Sequence, residues 1–338
     1  MLDDKVILIT GGTGSFGKTF IKKAFEKYNP RKIIVFSRDE YKQYKLSLQF
    51  PQGEYPIRYF IGDIRDKDRL KRAFTDVDYV IHTAALKHVP IAEYNPFEAV
   101  KTNILGAENI VDAALDTGVK KVVALSTDKA VNPINLYGAT KLAMEKIFIA
   151  ANAYAGAKET GFSVVRYGNV MGSRGSVIQR FLKLKREGVK EFPITDERMT
   201  RFWITLEEAV DLVIFALKEA VGGEVFVPRI PSMKITDLAR AIEPECTFRF
   251  IGIRPGEKLH ETLISEEEGR STVEIPYNGR NLFVILPHFP FKPLHEKYGR
   301  ADLKRYDRFW SYRSDTNDWW LTVEELRDLI SRIPLEED

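Results

Sequence analysis

A glycine-rich loop near the start of the chain lies between an apolar run and a helical pattern. The run Val6–Thr10 is typical of a buried strand, and the loop after it reads Gly-Gly-Thr-Gly-Ser-Phe-Gly. Glycines let the backbone turn tightly, and the amide groups at a helix N-terminus attract anions. We therefore predict that this loop binds the pyrophosphate of a dinucleotide. The predicted contact residues are Gly11, Thr13, Gly14, Ser15, Phe16 and Gly17.

Five further apolar runs alternate with helical patterns along the first half of the chain. They lie at residues 33–36, 57–61, 79–81, 122–125 and 164–167. This alternation predicts an α/β fold, a Rossmann-like doubly wound parallel sheet with helices on both faces. After residue 172 the elements become shorter, so we predict a nucleotide-binding domain at 1–172 and a smaller α/β substrate domain at 173–338. Whether segments of the second domain return to the sheet is left open.

The end of the chain has a helix signal. Thr322 and Glu325 form a capping-box pattern that predicts a helix over residues 323–330. We expect Trp310, Trp319 and Trp320 to pack this helix against the body of the protein. The segments 289–293 and 304–318 have the character of packing or subunit contacts rather than of chemistry.

The residues after the second strand bear on the choice of cofactor. An acidic residue there would accept the ribose 2′-hydroxyl of NAD, whereas Ser37 with Arg38 suits the 2′-phosphate of NADP. We therefore predict NADP, although Asp39 lies close enough to keep NAD open. Turns after the third and fourth strands should flank the adenine and pass under the middle of the cofactor. Their residues are Asp63, Ile64, Ala84 and Ala85.

A tyrosine and a lysine at helical spacing predict an acid–base centre. Tyr137 and Lys141 are four residues apart, which places them on one face of a helix. A positive charge beside a phenol favours the phenolate, so we expect Lys141 to lower the pKa of Tyr137. Tyr137 would then accept a proton from a substrate hydroxyl. The polar pair Asp128–Lys129 follows a predicted buried strand just upstream.

Composition excludes several classes of partner. The 51 basic and 48 acidic residues nearly cancel, which argues against a nucleic-acid or membrane-binding surface. No apolar run approaches the roughly 18 residues of a membrane helix, and no signal segment is visible. A lone Cys246 rules out an internal disulfide and, with the missing signal, predicts a cytoplasmic protein. The five histidines lack metal-ligand spacing, so we expect no metal site.

Five strings in order along the chain resemble the extended short-chain dehydrogenase/reductase superfamily. They are the loop at 11–17, Ala-Ala-Leu-Lys-His-Val-Pro at 84–90, Ser-Thr-Asp-Lys-Ala at 126–130, Arg-Tyr-Gly-Asn-Val at 166–170 and Arg-Met-Thr-Arg-Phe-Trp at 198–203. More narrowly, the chain resembles the soluble UDP-N-acetylglucosamine 4,6-dehydratases that invert C5 in pseudaminic-acid-type pathways. The resemblance covers nearly the whole chain. It implies tightly bound and recycled NADP, UDP-N-acetylglucosamine as substrate, and a homo-oligomer, often a hexamer.

The resemblance also implies catalytic roles. Tyr137, assisted by Lys141, deprotonates O4 of the sugar while NADP takes the C4 hydride, and Thr127 holds the O4 side. Asp128 acts as the acid on the departing C6 hydroxyl, and Lys129 removes the C5 proton. A lysine base must be neutral, which we expect burial and nearby positive charges to favour. Return of the hydride to C6 gives a UDP-4-keto-6-deoxy-L-hexosamine.

Substrate contacts are implied at the ends of several strands and in one loop. Arg254 is expected at the pyrophosphate and Glu257 at the uridine ribose. Asn103 and Lys87 are placed near the cofactor, where Asn103 should hold backbone and water. Gln179 stands where the family has proline, which affects only fine contacts near the uracil. The full set of implied substrate residues is Lys87, His88, Thr127, Asn169, Val177, Arg201, Arg254 and Glu257.

The residues of this predicted catalytic site also distinguish the dehydratase from other functions that such a chain could have. Sugar-nucleotide 4-epimerases share Tyr137 and Lys141 but carry small hydroxyl residues at the Asp128–Lys129 pair. Dehydratases of dTDP-glucose typically carry Asp-Glu there, and membrane-anchored retaining relatives often have Met in place of Tyr137. A catalytically silent NADP-sensing regulator usually lacks the tyrosine and lysine. The inverting dehydratase is therefore favoured, with the epimerase and the regulator as alternatives.

Overall fold

The computed structural model describes residues 1–156, 158–173, 175–289, 291–306 and 309–333. Its strands are β1 Val6–Thr10, β2 Lys32–Ser37, β3 Ile57–Ile61, β4 Tyr79–His82, β5 Lys121–Thr127, β6 Gly161–Tyr167, β7 Asn169–Val170, β8 Glu191–Ile194, β9 Thr200–Ile204, β10 Val225–Pro228, β11 Ser232–Lys234, β12 Thr247–Phe250, β13 Thr262–Ile264, β14 Thr272–Tyr277, β15 Arg280–Ile285 and β16 Tyr312–Arg313.

The helices alternate with these strands. They are α1 Ser15–Lys27, α2 Glu40–Gln49, α3 Lys67–Phe74, α4 Val89–Tyr94, α5 Pro96–Val100, α6 Gly106–Thr117, α7 Leu136–Tyr154, α8 Val177–Arg186, α9 Leu206–Glu219, α10 Ile235–Ile242, α11 Glu266–Gly269, α12 Lys292–Tyr298 and α13 Val323–Ser331, with a π-helical turn at Lys101–Leu105 and a 3₁₀ turn at Asp128–Ala130. None of the helices in the described ranges is long and apolar enough to span a membrane.

A nine-stranded sheet forms the body of the molecule, in the order β14-β15-β10-β6-β5-β4-β1-β2-β3. The strands β3, β2, β1, β4, β5, β6 and β10 pair in parallel. Strand β15 pairs antiparallel with β10 and with β14. All six apolar runs predicted as strands lie within β1 to β6, so the Rossmann-like α/β fold is confirmed. The chain reverses its direction of travel across the sheet between β1 and β4, and ligands of such folds bind at the carboxyl ends of the strands there.

Elements from the second half of the chain complete this sheet. The strands β10, β14 and β15 all lie beyond residue 172 and extend it past β6. The backbone of Lys304 accepts from the amide of Glu274 at 2.9 Å, and the amide of Tyr306 donates to Thr272, so residues 304–306 cover the outer edge of β14. The division of the chain at residue 172 stays a prediction.

A second apolar core lies among α8, α10 and α13. It contains Phe181, Trp203, Leu238 and Leu326, all buried. The predicted capping box at the start of α13 is confirmed, since the Thr322 hydroxyl accepts from the amide of Glu325 and the Glu325 side chain accepts from the amide of Thr322.

The expectation for Trp310 is wrong. Its ring stacks on Tyr306 with centroids 4.0 Å apart and packs against Phe283 of β15, in the main core. The cause is the return of the chain to the sheet, which places an aromatic surface beside residue 310. The segments 289–293 and 304–318 are expected to serve packing or subunit contacts. Within them, Pro290, Asp307 and Arg308 lie outside the described residues.

Candidate active site

The loop between β1 and α1 has the geometry of an anion site. Gly11 has a φ of +67°, and a Cβ there would lie 2.8 Å from Thr83 Oγ1. A Cβ at Gly17 would lie 2.2 Å from the carbonyl oxygen of Gly12, so only glycine lets α1 start this close to the loop. The N-cap Gly14 offers no side-chain acceptor, and the first turn of α1 has no acidic residue. The amides of this turn therefore suit the pyrophosphate of a dinucleotide.

The residues after β2 lie around two ion pairs. Arg38, about half exposed, places Nη1 3.7 Å from Asp63 Oδ2. Asp63 also pairs with Arg65 at 2.7 Å, a partner that the sequence did not reveal. Asp39 caps α2 by accepting from the amide of Lys42 at 2.9 Å. Asp39 therefore serves its own helix, while Arg38 pairs with Asp63.

Asn103 joins the loop after β4 to the helix of the catalytic tyrosine. Its Oδ1 accepts from the amide of Leu86 at 2.8 Å, while its Nδ2 donates to Leu86 O at 2.9 Å and to Thr140 Oγ1 at 3.0 Å. The π-helical turn Lys101–Leu105 supplies this residue, and such turns are frequent at functional sites. The loop that starts at Ala84 is thus held in place relative to α7.

Helix α7 packs directly on the turn that carries Asp128 and Lys129. Asn135 caps the helix by accepting from the amide of Gly138 at 2.8 Å. A Cβ at Gly138 would lie 2.1 Å from the carbonyl oxygen of Lys129. This close approach brings Tyr137 beside the residues at the end of β5.

The pair Tyr137 and Lys141 differs from the expectation. Burial raises the pKa of Tyr137 to about 12, although the Lys129 charge and a hydrogen bond with Thr127 act in the opposite direction. The Lys141 ammonium donates to the carbonyl oxygen of Leu125 at 2.5 Å, and burial lowers its pKa to about 8. The expected lowering of the Tyr137 pKa by Lys141 is therefore wrong, because Lys141 donates to Leu125 O instead and burial of the phenol outweighs the charge of Lys129.

The buried Asp128 forms an ion pair with Lys129, whose side chain is partly exposed to the cleft. Asp128 Oδ1 accepts from Thr127 Oγ1 at 2.8 Å and from Lys129 Nζ at 3.0 Å. Lys129 Nζ also lies 3.5 Å from Glu261 Oε1. Burial alone would lower the pKa of Lys129, but the carboxylates of Asp128 and Glu261 outweigh it and raise that pKa. The expectation that the site favours a neutral Lys129 is therefore wrong, because the carboxylates of Asp128 and, next, Glu261 stabilise the ammonium.

Glu261 is the main residue that sequence reasoning missed. It is buried, it lies 3.6 Å from Arg201 Nε, and burial raises its pKa. Its backbone exchanges hydrogen bonds of 2.9 Å with Ser314, which ties it to the C-terminal segment. The one sequence signal that could have indicated Glu261 is the cluster of charged residues from Arg254 to Glu261, whose apolar residues follow neither the strand nor the helix periodicity.

Arg201 is held by backbone carbonyls on both sides. Its guanidinium donates to Thr200 O at 2.7 Å, to Leu259 O at 3.1 Å and to Lys258 O at 2.9 Å. It therefore fixes the loop that carries Glu257 and Glu261, besides presenting positive charge to that side of the site.

These residues surround a cleft of about 290 Å³. It brings together most of the predicted substrate residues, and adds Asn135, Lys258 and Glu261. Thr127 and Val177 are not among the lining residues; Thr127 ends β5, and Val177 starts α8 and packs against the second core. The lining residues are Lys87, His88, Val89, Pro90, Lys129, Asn135, Asn169, Arg201, Arg254, Pro255, Gly256, Glu257, Lys258 and Glu261.

A more open cleft lined by Arg58, Phe60 and Arg69 lies at β3, the far edge of the sheet from β5 and α7. Within the described ranges, no group of three or more His, Cys, Asp or Glu side chains is arranged to hold a metal ion.

Comparisons with known proteins identify relatives over nearly the whole chain. Residues 7–280 match the family described as polysaccharide biosynthesis protein. A Campylobacter jejuni serotype O:2 protein named UDP-N-acetylglucosamine 4,6-dehydratase (inverting) is 54% identical over 336 residues, 98% of each chain. A Rickettsia massiliae protein named UDP-glucose 4-epimerase is 43% identical over 295 residues, 83% of this chain and 86% of the other.

A solved structure agrees with these matches. The X-ray structure of Pen from Bacillus thuringiensis has a TM-score of 0.87 and 41% identity, covering 98% of each chain. The resemblance predicted from the five sequence strings is confirmed. The chain belongs to the polysaccharide biosynthesis protein family, and it is related over almost its full length to the inverting UDP-N-acetylglucosamine 4,6-dehydratases.

Proposed function

We propose that the chain is a UDP-N-acetylglucosamine 4,6-dehydratase that inverts C5, a lyase that yields a UDP-4-keto-6-deoxy-L-hexosamine. The observation that carries the proposal is the Asp128–Lys129 pair, with Lys129 lining the cleft and Asp128 directly behind it. A 4-epimerase only oxidises and re-reduces C4, so it needs no acid and base at this place. The relatives named as inverting dehydratases support the same reaction.

The residues of the first loop suit a nicotinamide dinucleotide. Gly11, Gly14 and Gly17 would hold its pyrophosphate, and Ser37 with Arg38 would face the 2′-phosphate of NADP. When bound, this cofactor takes a hydride from C4 of the sugar and returns it to C6. Tyr137 and Lys141 would lie on the nicotinamide side.

The choice of NADP is testable at Arg38. Arg38→Ala should weaken NADP binding by about tenfold or more and leave NAD binding nearly unchanged, since only NADP carries the 2′-phosphate. Calorimetric titration of the protein freed of cofactor measures both affinities. Arg65→Ala is the matched control, because Arg65 is held by Asp63 and Glu98. Equal losses for NAD and NADP in the Arg38 variant would contradict the assignment.

The side chains of the site can carry out the proton transfers of dehydration. Tyr137 takes the O4 proton as the phenolate; the Lys129 charge favours that form, whereas burial, which raises the Tyr137 pKa to about 12, opposes it. One proton transfer from Lys129 to Asp128, across 3.0 Å, produces a neutral amine and a protonated carboxyl together. Burial of Asp128 favours this transfer, whereas the carboxylates of Asp128 and Glu261, which raise the Lys129 pKa, oppose it. The amine then removes the C5 proton, and the carboxyl protonates the C6 hydroxyl, which leaves as water.

The cleft and its surroundings suit a UDP-sugar. Arg254 and Arg201 would contact the diphosphate, Glu257 the uridine ribose, and Lys87, His88 and Asn169 the sugar side. Thr127 would meet O4.

The protein is proposed to work in the cytoplasm as a homo-oligomer, a hexamer by family resemblance, in a pseudaminic-acid-type pathway. The side chains of Ile91, Tyr94 and Phe97 on α4 and α5 are 56%, 87% and 75% exposed. An apolar surface of this kind supports a subunit contact.

Proton NMR of UDP-N-acetylglucosamine with the purified protein in D₂O, without added cofactor, tests the function. A 4-keto-6-deoxy product with deuterium at C5 and an inverted coupling pattern is expected. Asp128→Asn should give none of this product, because the C6 hydroxyl would lack its acid. Absence of turnover by the wild-type protein, with tight NADP binding, would instead favour a regulator.

A UDP-sugar 4-epimerase is the second candidate, and the 43% identity to a protein named UDP-glucose 4-epimerase favours it. The same experiment separates the two functions. An epimerase would give UDP-N-acetylgalactosamine without solvent deuterium, and Asp128 and Lys129 would then have another role.

A further inference from the structure

Residues 254–257 form a tight turn beside the cleft. The amide of Glu257 donates to Arg254 O at 3.1 Å, and the two side chains pair at 3.2 Å. Gly256 has a φ of +76° and follows Pro255, which is the pattern of a type II turn. The proposed function, on which this inference rests, places the UDP moiety on the residues at the two ends of this turn.

The side chain of Asn135 joins this turn to α7. Its Nδ2 donates to Gly256 O at 2.8 Å, and its Oδ1 accepts from the amide of Gly138 at 2.8 Å. A Cβ at Gly256 would lie 3.1 Å from Asn135 Cβ, so the turn packs closely on the helix cap. One amide group therefore contacts both the 254–257 turn and the helix that carries Tyr137.

The first turn of α7 has few other supports at its start. The amide of Ala139 donates to the backbone carbonyl of Asn135 at 3.0 Å. The amide of Leu136 donates to Glu93 Oε1 at 2.6 Å, and Glu93 is exposed. Asn135 itself lines the cleft. The position of this turn of helix thus depends on a residue next to the bound substrate.

We propose that Asn135 is a positioning residue that couples the seating of a nucleoside diphosphate on the 254–257 turn to the placement of Tyr137. A diphosphate held by Arg254 fixes the turn. The Gly256 carbonyl then fixes the Asn135 side chain, which fixes the first turn of α7. Binding energy from the nucleotide, which is remote from the reacting carbons, is thereby used to orient the phenol at O4.

Two substitutions separate the hydrogen bonds of Asn135. In Asn135→Asp, a carboxylate oxygen still caps the helix, but no N–H remains for Gly256 O. Asn135→Ser also keeps a capping oxygen, and its shorter side chain makes the same test without an added charge. Both variants should unfold at temperatures close to that of the wild-type protein, because the cap is retained.

Amide hydrogen exchange with UDP as the probe measures the coupling without turnover. In the wild-type holoenzyme, saturating UDP should slow exchange in the first turn of α7 by about fivefold or more. In both Asn135 variants, UDP should leave this exchange unchanged, because the turn no longer holds the cap.

Steady-state kinetics supply a second readout. Each Asn135 variant should have kcat about tenfold below wild type, while its Kd for UDP stays within about threefold, since orientation is lost rather than a nucleotide contact. Asp66→Ser is the matched control. It makes the same kind of cap exchange on α3, where Asp66 accepts from the amide of Arg69 and no residue lines the cleft.

The outcomes distinguish the coupling from other roles of Asn135. Wild-type kcat with full UDP protection of α7 in both variants would overturn the coupling and leave Asn135 as a helix cap. Weaker UDP binding with unchanged kcat would also overturn it, because Asn135 would then be a ligand contact. If the wild-type protein makes no 4-keto-6-deoxy product, the proposed function is overturned, whereas protection of α7 by UDP would still support the coupling.

Discussion

At the scale of single residues, the site differs from its sequence description mainly in charge. Lys129 lies between the carboxylates of Asp128 and Glu261, which stabilise its ammonium form. Lys141 is buried, which disfavours its ammonium form even though that ammonium donates a hydrogen bond to the Leu125 carbonyl. Two lysines close in sequence thus have pKa values shifted in opposite directions by their neighbours.

Removal of Glu261 should change the titration of Lys129. Glu261→Gln should lower the Lys129 pKa, because one of the two stabilising carboxylates is lost. NMR titration of the lysine Nζ, assigned with Lys129→Arg, measures the change. The control is Glu257→Gln, whose carboxylate lies against Arg201 and Arg254 instead. An unmoved Lys129 pKa would show that Asp128 alone sets it.

Burial of Lys141 should make stability depend on pH. Its pKa falls from 10.5 to about 8 on folding, so the unfolded chain binds more protons between these values and stability rises with pH across this window. Lys141→Met removes this effect. The unfolding free energy of wild type minus that of the variant should therefore increase by about 2–3 kcal/mol from pH ~8 to ~10.5. Urea titrations of both proteins measure it, and a difference that stays flat with pH would contradict the burial.

At the scale of elements, the catalytic pair depends on how closely α7 packs on the end of β5. Gly138 permits this contact, because a Cβ added there would lie 2.1 Å from the carbonyl oxygen of Lys129. The cap at Asn135 fixes where the helix starts, and therefore where Tyr137 points.

A methyl group at residue 138 should separate these elements. Gly138→Ala should destabilise the protein by about 1–3 kcal/mol and lower kcat more than it changes KM, since the helix must shift. Thermal unfolding and steady-state kinetics measure the two effects. Gly53→Ala is the control, because a Cβ there meets nothing within 4 Å. Equal stability and equal kcat of the two variants would show that α7 can shift without loss of stability or activity.

At the scale of the whole molecule, a buried arginine joins the sheet to the segments that carry the cleft. Arg166 of β6 pairs with Glu145 of α7 at 2.6 Å and with Glu268 of α11 at 2.8 Å, and it donates to Leu263 O of β13 at 2.9 Å. The catalytic helix and the loop of Glu261 are therefore fixed to one another through a single side chain.

Loss of this arginine should be costly. Arg166→Met should lower the free energy of unfolding by about 3–5 kcal/mol, because it leaves two carboxylates buried without their partner. Urea denaturation provides the value. Arg300→Ala, which breaks an exposed pair with Asp302, should leave the free energy of unfolding nearly unchanged. A similar small loss for both variants would mean that Glu145 and Glu268 find other partners.

Local patterns in the sequence determined the strands β1 to β6, the glycine loop, the α13 cap and the spacing of Tyr137 with Lys141. Each of these depends on residues a few positions apart, where periodicity and turn chemistry act directly. Only the tertiary structure decided the charge of Lys129, the place of Trp310, the return of β14 and β15 to the sheet, and the role of Glu261. These depend on contacts between distant segments, as between Glu261 and Ser314, 53 residues apart. Burial and opposing charge then set pKa values that no local pattern encodes.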